Sequence, residues 1–175
     1  EGVRMGALAT NLQVERVREN VELLMKEQDI VYGDLDNFEV TGADKNKGAF
    51  FSPILFRNDN PFEKTGVHSI EAFGPVSTLM PYKNLDEAVK LVELGKGSLV
   101  TSIITNDDKL AIEFVTEAAC SNGRILVLNE ACAKESTGHG SPMPLLTHGG
   151  PGRAGGGEEM GGVRGIKHYL QRTAI

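Results

Sequence analysis

Long hydrophobic runs are missing from this chain. No apolar stretch approaches the roughly 20 residues that a membrane-spanning helix needs, so no membrane partner is expected. Runs or stripes of Lys and Arg are missing too. The 18 basic residues are interspersed with 24 acidic ones for a net charge of −6. That balance argues against a nucleic-acid partner. Cysteine is scarce: Cys120 and Cys132 are the two in 175 residues. They do not make a disulfide scaffold at this length and their spacing fits no zinc motif, which points to a reducing, cytoplasmic setting. The histidines, His68, His139, His148 and His168, have no metal-ligand spacing, so no metal site is expected. No signal-peptide pattern opens the chain, and Glu1 stands where an initiator methionine would. The chain is expected to be a piece of a longer protein.

What remains is a chain of one-domain length, 40% hydrophobic, with 21 glycines and room for a real core. Thr10 with Gln13 three residues on forms a capping box. It opens a helix whose Val14, Val17, Val21 and Leu24 fall on one face, and Gln28-Asp29 ends it. Ile30–Tyr32 is a short strand, and a second is possible at Phe38–Thr41. Ala49–Phe56 contains Pro53 and so reads as an edge or irregular strand. Asn58–Thr65 is a turn region.

Regular alternation begins at Val76. A strand at Val76–Pro81 precedes a helix capped by Asn84 and Glu87, with Leu85, Ala88, Val89 and Val92 on one face and Gly95 at its end. Leu99–Ile104 is a buried strand. Thr105 or Asn106 caps a second helix carrying Leu110, Ala111, Phe114, Val115 and Ala118, closed near Gly123, and Ile125–Leu128 is a further strand. Connections of that length favour parallel pairing with helices packed on the sheet. Glu130–Gly157 is a long Gly/Ser/Pro/His-rich stretch, of the kind that is usually functional or disordered. A short helix around Glu159–His168 and a final strand at Tyr169–Ile175 close the chain.

Four features bear on chemistry. Gly150 to Gly155 matches G-x-G-x-x-G. A dinucleotide fingerprint must follow a strand and open a helix, however, and here Pro142 and Pro144 precede it, so a flexible turn-rich loop is the better reading. Cys132, just past a strand with His139 and His148 downstream, could be a nucleophile; by itself it reads as a loop thiol. Cys120, near a helix end, reads as core. Glu71-Ala72-Phe73-Gly74-Pro75-Val76 places a carboxylate and an aromatic ring before a Gly-Pro break at a strand entrance. There the carboxylate could accept from two vicinal hydroxyls, or be a solvated loop acid.

The same hexapeptide resembles the E-x-F-G-P-V signature of the aldehyde dehydrogenase superfamily. Gly48–Leu55 resembles that family's G-Y-F-x-x-P-T-L and Met5–Leu8 its G-P-L-V. Leu85–Val89 resembles its E-A-I helix, Gly97–Thr105 its Y-G-L-A-A-x-V-F-T strand, and Gly123–Asn129 its G-x-V-x-V-N. His148–Glu159 resembles F-G-G-x-K-x-S-G-x-G-R-E with departures: Pro151 and Gly152 stand at the tyrosine-lysine positions and Glu158 replaces the arginine. Together with His139–Pro144, those departures are similar to one subgroup, the dehydrogenase domain of bifunctional ring-opening proteins of aerobic phenylacetate breakdown. Dehydrogenases of the benzoyl-CoA pathway are the nearest alternative.

The resemblance implies an α/β fold, a parallel-sheet catalytic-domain fragment with a C-terminal oligomerisation strand. Residues 1–175 would be the C-terminal part of a dehydrogenase domain: an α/β part over 1–129, a Gly-rich loop over 130–158, and a short helix and strand over 159–175. It implies oxidation of a CoA-linked semialdehyde to the acid with NADP (or NAD). The partners implied are the N-terminal part of the same enzyme, a fused MaoC-like hydratase and a second copy of the chain. In the family the nucleophilic cysteine sits in G-Q-x-C and the base glutamate in an E-L-G-G-type motif. Neither occurs here, so the resemblance implies that no catalytic residue lies in this chain and that the isolated chain is inactive. By the same resemblance Glu71 binds the nicotinamide ribose, Phe73 packs beside the nicotinamide, and Glu130, Cys132 and His139 border the substrate funnel. The final strand, lacking partners from the N-terminal part, would pair with another copy. The rival from another class is a non-catalytic assembly module whose Gly-rich tail docks a partner chain.

Overall fold

The computed structural model describes residues 3–132, 134, 148, 150–154, 170 and 173–175. They form two compact units, Glu1–Pro81 and Tyr82–Ile175.

In the first unit, helix α1 spans Asn11–Leu24. The Thr10 hydroxyl accepts from Gln13 N at 3.1 Å, and Gln13 Oε1 reaches back one residue past the cap to accept from Ala9 N at 3.0 Å. Val17 and Val21 on its apolar face are completely buried, each contributing about 1.5–3 kcal/mol over an exposed position. Strand β1 (Asp29–Tyr32) runs antiparallel to β2 (Ile54–Arg57), which runs parallel to β3 (Val76–Leu79). Ile54 pairs with Val76, and Phe56 pairs with Thr78 on one side and Ile30 on the other. Ile54, Phe56 and Phe51 pack with Val17, Val21 and Leu24 to form the core. A one-turn helix, α2 (Gly66–Ser69), lies between β2 and β3.

Two expectations are corrected here. β2 is the central strand of its sheet, not an edge. Pro53 is not inside it; the ladder starts at Ile54, whose N–H donates to Pro75 O at 2.9 Å, so the proline removes no ladder bond. Phe38–Thr41 forms no strand. That loop folds on side-chain bonds instead. Asp34 Oδ1 accepts from the Asp36 and Asn37 N–H groups, and Arg18 holds Leu35 O and the Asp36 carboxylate at 2.9 Å. Short polar side chains offer the backbone such local partners in place of a ladder.

In the second unit, α3 (Leu85–Leu94), β4 (Ser98–Ile104), α4 (Asp108–Ala118) and β5 (Asn122–Leu128) follow in order, and β4 and β5 pair in parallel. Val89, Phe114, Ala118 and Ile125 form its core, with Val92, Ile103 and Val127 packed against them. The expected cap of α3 is present: Asn84 Oδ1 accepts from Glu87 N and Glu87 Oε2 from Lys83 N. α4 is capped by Asp107, past both expected residues, Thr105 and Asn106, with Oδ1 accepting from Lys109 N and Leu110 N.

Cys120 is exposed, not core. At about 100° per residue, Cys120 falls roughly 200° round from the buried Ala118 and so faces away from the apolar stripe, in the 3-10 turn Ala119–Ser121 that follows α4. The expected helix around Glu159–His168 lies outside the described residues, as do Tyr169, Gln171 and Arg172 of the strand expected at Tyr169–Ile175. At its end, Ala174 bridges Arg124 in parallel. Ile125 N donates to Ala174 O at 2.9 Å, and Ala174 N donates to Gly123 O. These residues therefore pair with β5 of their own chain. The Thr173 hydroxyl donates its one proton between Ala119 O at 2.6 Å and Asn122 O at 2.9 Å.

Candidate functional site

Two side chains of α1 hold the exposed Glu71–Val76 turn by its backbone. Gln13 Nε2 donates to Phe73 O at 3.0 Å, and Asn20 Nδ2 donates to Glu71 O at 3.1 Å. Between those two anchors Gly74 lies directly on Val17. A Cβ built on Gly74 would stand 2.8 Å from one Val17 methyl and 2.9 Å from the other. Residues 13, 17 and 20 are neighbours along one stripe of a helix, so a single stripe of α1 contacts the turn at Phe73, Gly74 and Glu71. Beyond them Val76 N donates to Gly74 O at 2.7 Å, a tight turn centred on Pro75, and the chain enters β3.

Phe73 takes φ +54°, the left-handed region, while its side chain is 74% exposed. A bulky residue there costs on the order of 1–3 kcal/mol, and it persists only where its surroundings over-determine it. The over-determination is visible in the Gln13 bond and the Gly74–Val17 contact. An aromatic ring held outward against its backbone preference, two residues from the exposed carboxylate of Glu71, can present a flat face to a planar ring and acceptors to paired hydroxyls.

In the second unit Glu130 and Cys132 leave the carboxyl end of β5, where parallel α/β sheets bind ligands. Glu130 N donates to Asn106 Oδ1 at 2.9 Å, tying the chain after β5 to the chain after β4. Cys132 N donates to Asn129 Oδ1, and Asn129 N points at Cys132 Sγ at 3.2 Å, a closed four-residue turn. His139, the third expected funnel residue, lies outside the described residues. Among the described residues no group of three or more His, Cys, Asp or Glu side chains gathers as a metal site, and no helix is long and apolar enough to cross a membrane.

The glycines of the G-x-G-x-x-G match have a different occupation. Gly152 (φ +50°) lies on Lys96 O, and Gly97 (φ +108°) on Pro151 O; an added Cβ would stand 2.1 Å from either oxygen. Arg153 N donates to Lys96 O at 3.0 Å. The Pro151–Ala154 segment is thus clasped to the turn that begins β4. His148 is buried on Gly123, and Gly150 N donates to its Nδ1. Close backbone approach to the chain itself accounts for Gly152 and Gly97.

Sequence reasoning missed Gln13 and Asn20 as anchors of the turn. Gln13 was absorbed by the capping box, in which its other amide atom does take part. Asn20, a polar residue beside the apolar stripe of Val17 and Val21, was the available signal.

Comparison with known proteins follows the same sequence features. The model of the aldehyde dehydrogenase family matches residues 1–175. Over 172 residues the chain is 49% identical to "Protein MaoC" of Klebsiella aerogenes, covering 98% of the chain and 50% of that protein. It is 38% identical over 151 residues to the 3,4-dehydroadipyl-CoA semialdehyde dehydrogenase of Aromatoleum evansii, covering 86% and 29%. The chain thus spans half or less of the length of these curated relatives. Among solved structures, 3,6-anhydro-L-galactose dehydrogenase in complex with NAP superposes with a TM-score of 0.62 at 22% identity, over 94% of this chain and 31% of that one. The NAD+ complex of an aldehyde dehydrogenase from Bacillus cereus gives 0.58 at 23% identity, over 71% and 23%. At these identities the structural likeness concerns the fold.

Proposed function

The chain belongs to the aldehyde dehydrogenase family, and from that premise we propose that it forms the nicotinamide-facing wall of an enzyme that oxidises a CoA-linked semialdehyde to the acid. The observation that carries the reading is the Glu71–Val76 turn. The residues there suit a nicotinamide nucleotide: the Glu71 carboxylate would accept from the two ribose hydroxyls, and the Phe73 ring would lie beside the nicotinamide. The nucleotide, bound, supplies the hydride acceptor. This chain's residues orient it: the Glu71 bond fixes the ribose, and the exposed Phe73 ring limits the tilt of the nicotinamide and covers it from water.

The CoA-linked substrate is supported by the 38%-identical relative, whose name states such a semialdehyde. A fused hydratase is supported by the 49%-identical relative named MaoC. NADP is the preferred nucleotide in this reading, and Glu130, Cys132 and His139 border the substrate entrance. The nucleophilic cysteine and base glutamate come from outside the 175 residues, as does the nucleotide-binding half. The assembly is a homo-oligomer in the cytoplasm.

Glu71→Gln in the full-length protein tests the reading. Single-turnover hydride transfer should slow by about tenfold, the cost of a poorly held nicotinamide. Overall nucleotide affinity should change less, since the adenylate half is held elsewhere. An unchanged hydride step removes Glu71 from the site. The name of the 38%-identical relative also favours a second substrate reading, 3,4-dehydroadipyl-CoA semialdehyde itself. Comparing kcat/KM for that compound with that for the semialdehyde of the phenylacetate route separates the two.

A further inference from the structure

We propose that Gln13 and Asn20 are positioning residues of the nucleotide site: they set the aim of Glu71 and Phe73 by holding those residues' own carbonyls. The inference rests on the cofactor reading above and concerns residues that contact no ligand in it. Glu71 and Phe73 are two residues apart on an exposed turn, and Phe73 is in a conformation an aromatic residue leaves when unrestrained. The bonds that oppose its escape come from α1: Gln13 Nε2 to Phe73 O and Asn20 Nδ2 to Glu71 O. Each anchor acts on the backbone of one ligand-facing residue, and Val17 supports the glycine beside them. Loss of an anchor lets the carbonyl rotate. The side chain then turns with it, because φ and ψ of Phe73 and Glu71 direct their Cα–Cβ bonds.

The amide of Gln13 divides the two roles of that residue between its two atoms. Oε1 accepts from Ala9 N and closes the helix cap, whereas Nε2 reaches Phe73 O. Gln13→Glu keeps an acceptor for Ala9 N and places an acidic group at a helix N-terminus, where it is welcome. It removes the donor to Phe73 and sets a carboxylate oxygen against a carbonyl. Asn20→Asp does the same to Glu71 O. Both variants therefore preserve shape and cap while reversing the anchor.

The test uses the full-length protein with three readouts: thermal midpoint, amide hydrogen exchange by mass spectrometry, and single-turnover hydride transfer beside nucleotide titration. For Gln13→Glu and Asn20→Asp the expected results are a midpoint within a few degrees of the parent and faster exchange confined to peptides covering residues 71–76. The hydride step is expected to fall about tenfold, with a smaller change in nucleotide Kd. Unchanged exchange over 71–76 overturns the proposal. So does faster exchange with an unchanged hydride step while Glu71→Gln still slows it; the cofactor reading then stands and the anchors fail. If Glu71→Gln also leaves the hydride step unchanged, both fail together. A large fall in midpoint for both variants, with exchange rising along α1 as well, makes the bonds purely structural and likewise overturns it.

Discussion

Replacing Gly74 by alanine adds one methyl group at the place where the turn rests on α1. The new Cβ would stand 2.8 and 2.9 Å from the Val17 methyls and 3.4 Å from its Cβ. Carbon atoms sit comfortably at about 3.5–4.0 Å, so both methyl contacts are too close by more than half an ångström. Val17 cannot move away. It is completely buried against its neighbours in the core, and its branched side chain is stiff in a helix. Gly74 does not have a positive φ, so alanine meets no backbone penalty and its stiffer unfolded chain is worth about 0.4–1 kcal/mol in its favour. Overpacking costs about 1–3 kcal/mol. The net expectation is a destabilisation of about 1–2 kcal/mol, accompanied by faster amide exchange in the turn as it lifts from Gln13 and Asn20. A double-mutant cycle isolates the cause. In a Val17→Ala background the clash is gone, so Gly74→Ala should then be neutral or slightly stabilising, a coupling above about 1 kcal/mol. Denaturant unfolding of the four variants reads this directly. Additive effects, or a neutral Gly74→Ala in the parent protein, would refute the argument that glycine is required here by the approach to Val17.

Other outcomes follow from the same contacts. Gly97→Ala and Gly152→Ala each place a Cβ on a carbonyl oxygen at a positive φ, so either should release the Pro151–Ala154 segment, read as new proteolytic cleavage near Arg153; resistance equal to the parent's would count against the clasp. Thr173→Val removes the hydroxyl that bonds Ala119 O and Asn122 O and should cost about 1 kcal/mol, measured by thermal unfolding. Asp34 is held below its ordinary carboxyl value of 3.8, first by the N–H of Asn37 and then by that of Asp36. Because the folded value is the lower one, its contribution is present above pH 3.8 and is lost as pH falls through the folded value; a carboxyl titration followed by NMR should show the low midpoint, and Asp34→Asn should flatten that part of the acid limb. The 175-residue chain alone should form no NADPH from NADP and aldehyde, and turnover above a heat-killed control would point to Cys132.

How much of this was legible in the sequence depends on the range of the forces involved. α1, α3, α4 and the strands after Val76 follow from caps and apolar period, because a helix end or an amphipathic stripe is settled within a few residues. The Glu71–Val76 signature was equally plain, since a Gly-Pro pair restricts its own backbone wherever it occurs. Contacts between distant residues decided the rest. Nothing local makes β2 central; its partners lie on both sides of it in sequence, and only their pairing tells. Gly150 and Gly152 spell a nucleotide fingerprint, while Gly152 is in fact required by the carbonyl of Lys96. The left-handed Phe73 is the clearest case. No propensity places a phenylalanine there, and the bonds from Gln13 and Asn20 that hold the turn span 60 and 51 residues of chain. Sequence alone identified the family and named the residues of the turn. The tertiary structure decided how that turn is aimed, because a strained exposed conformation exists only where a neighbouring element supplies the bonds to keep it.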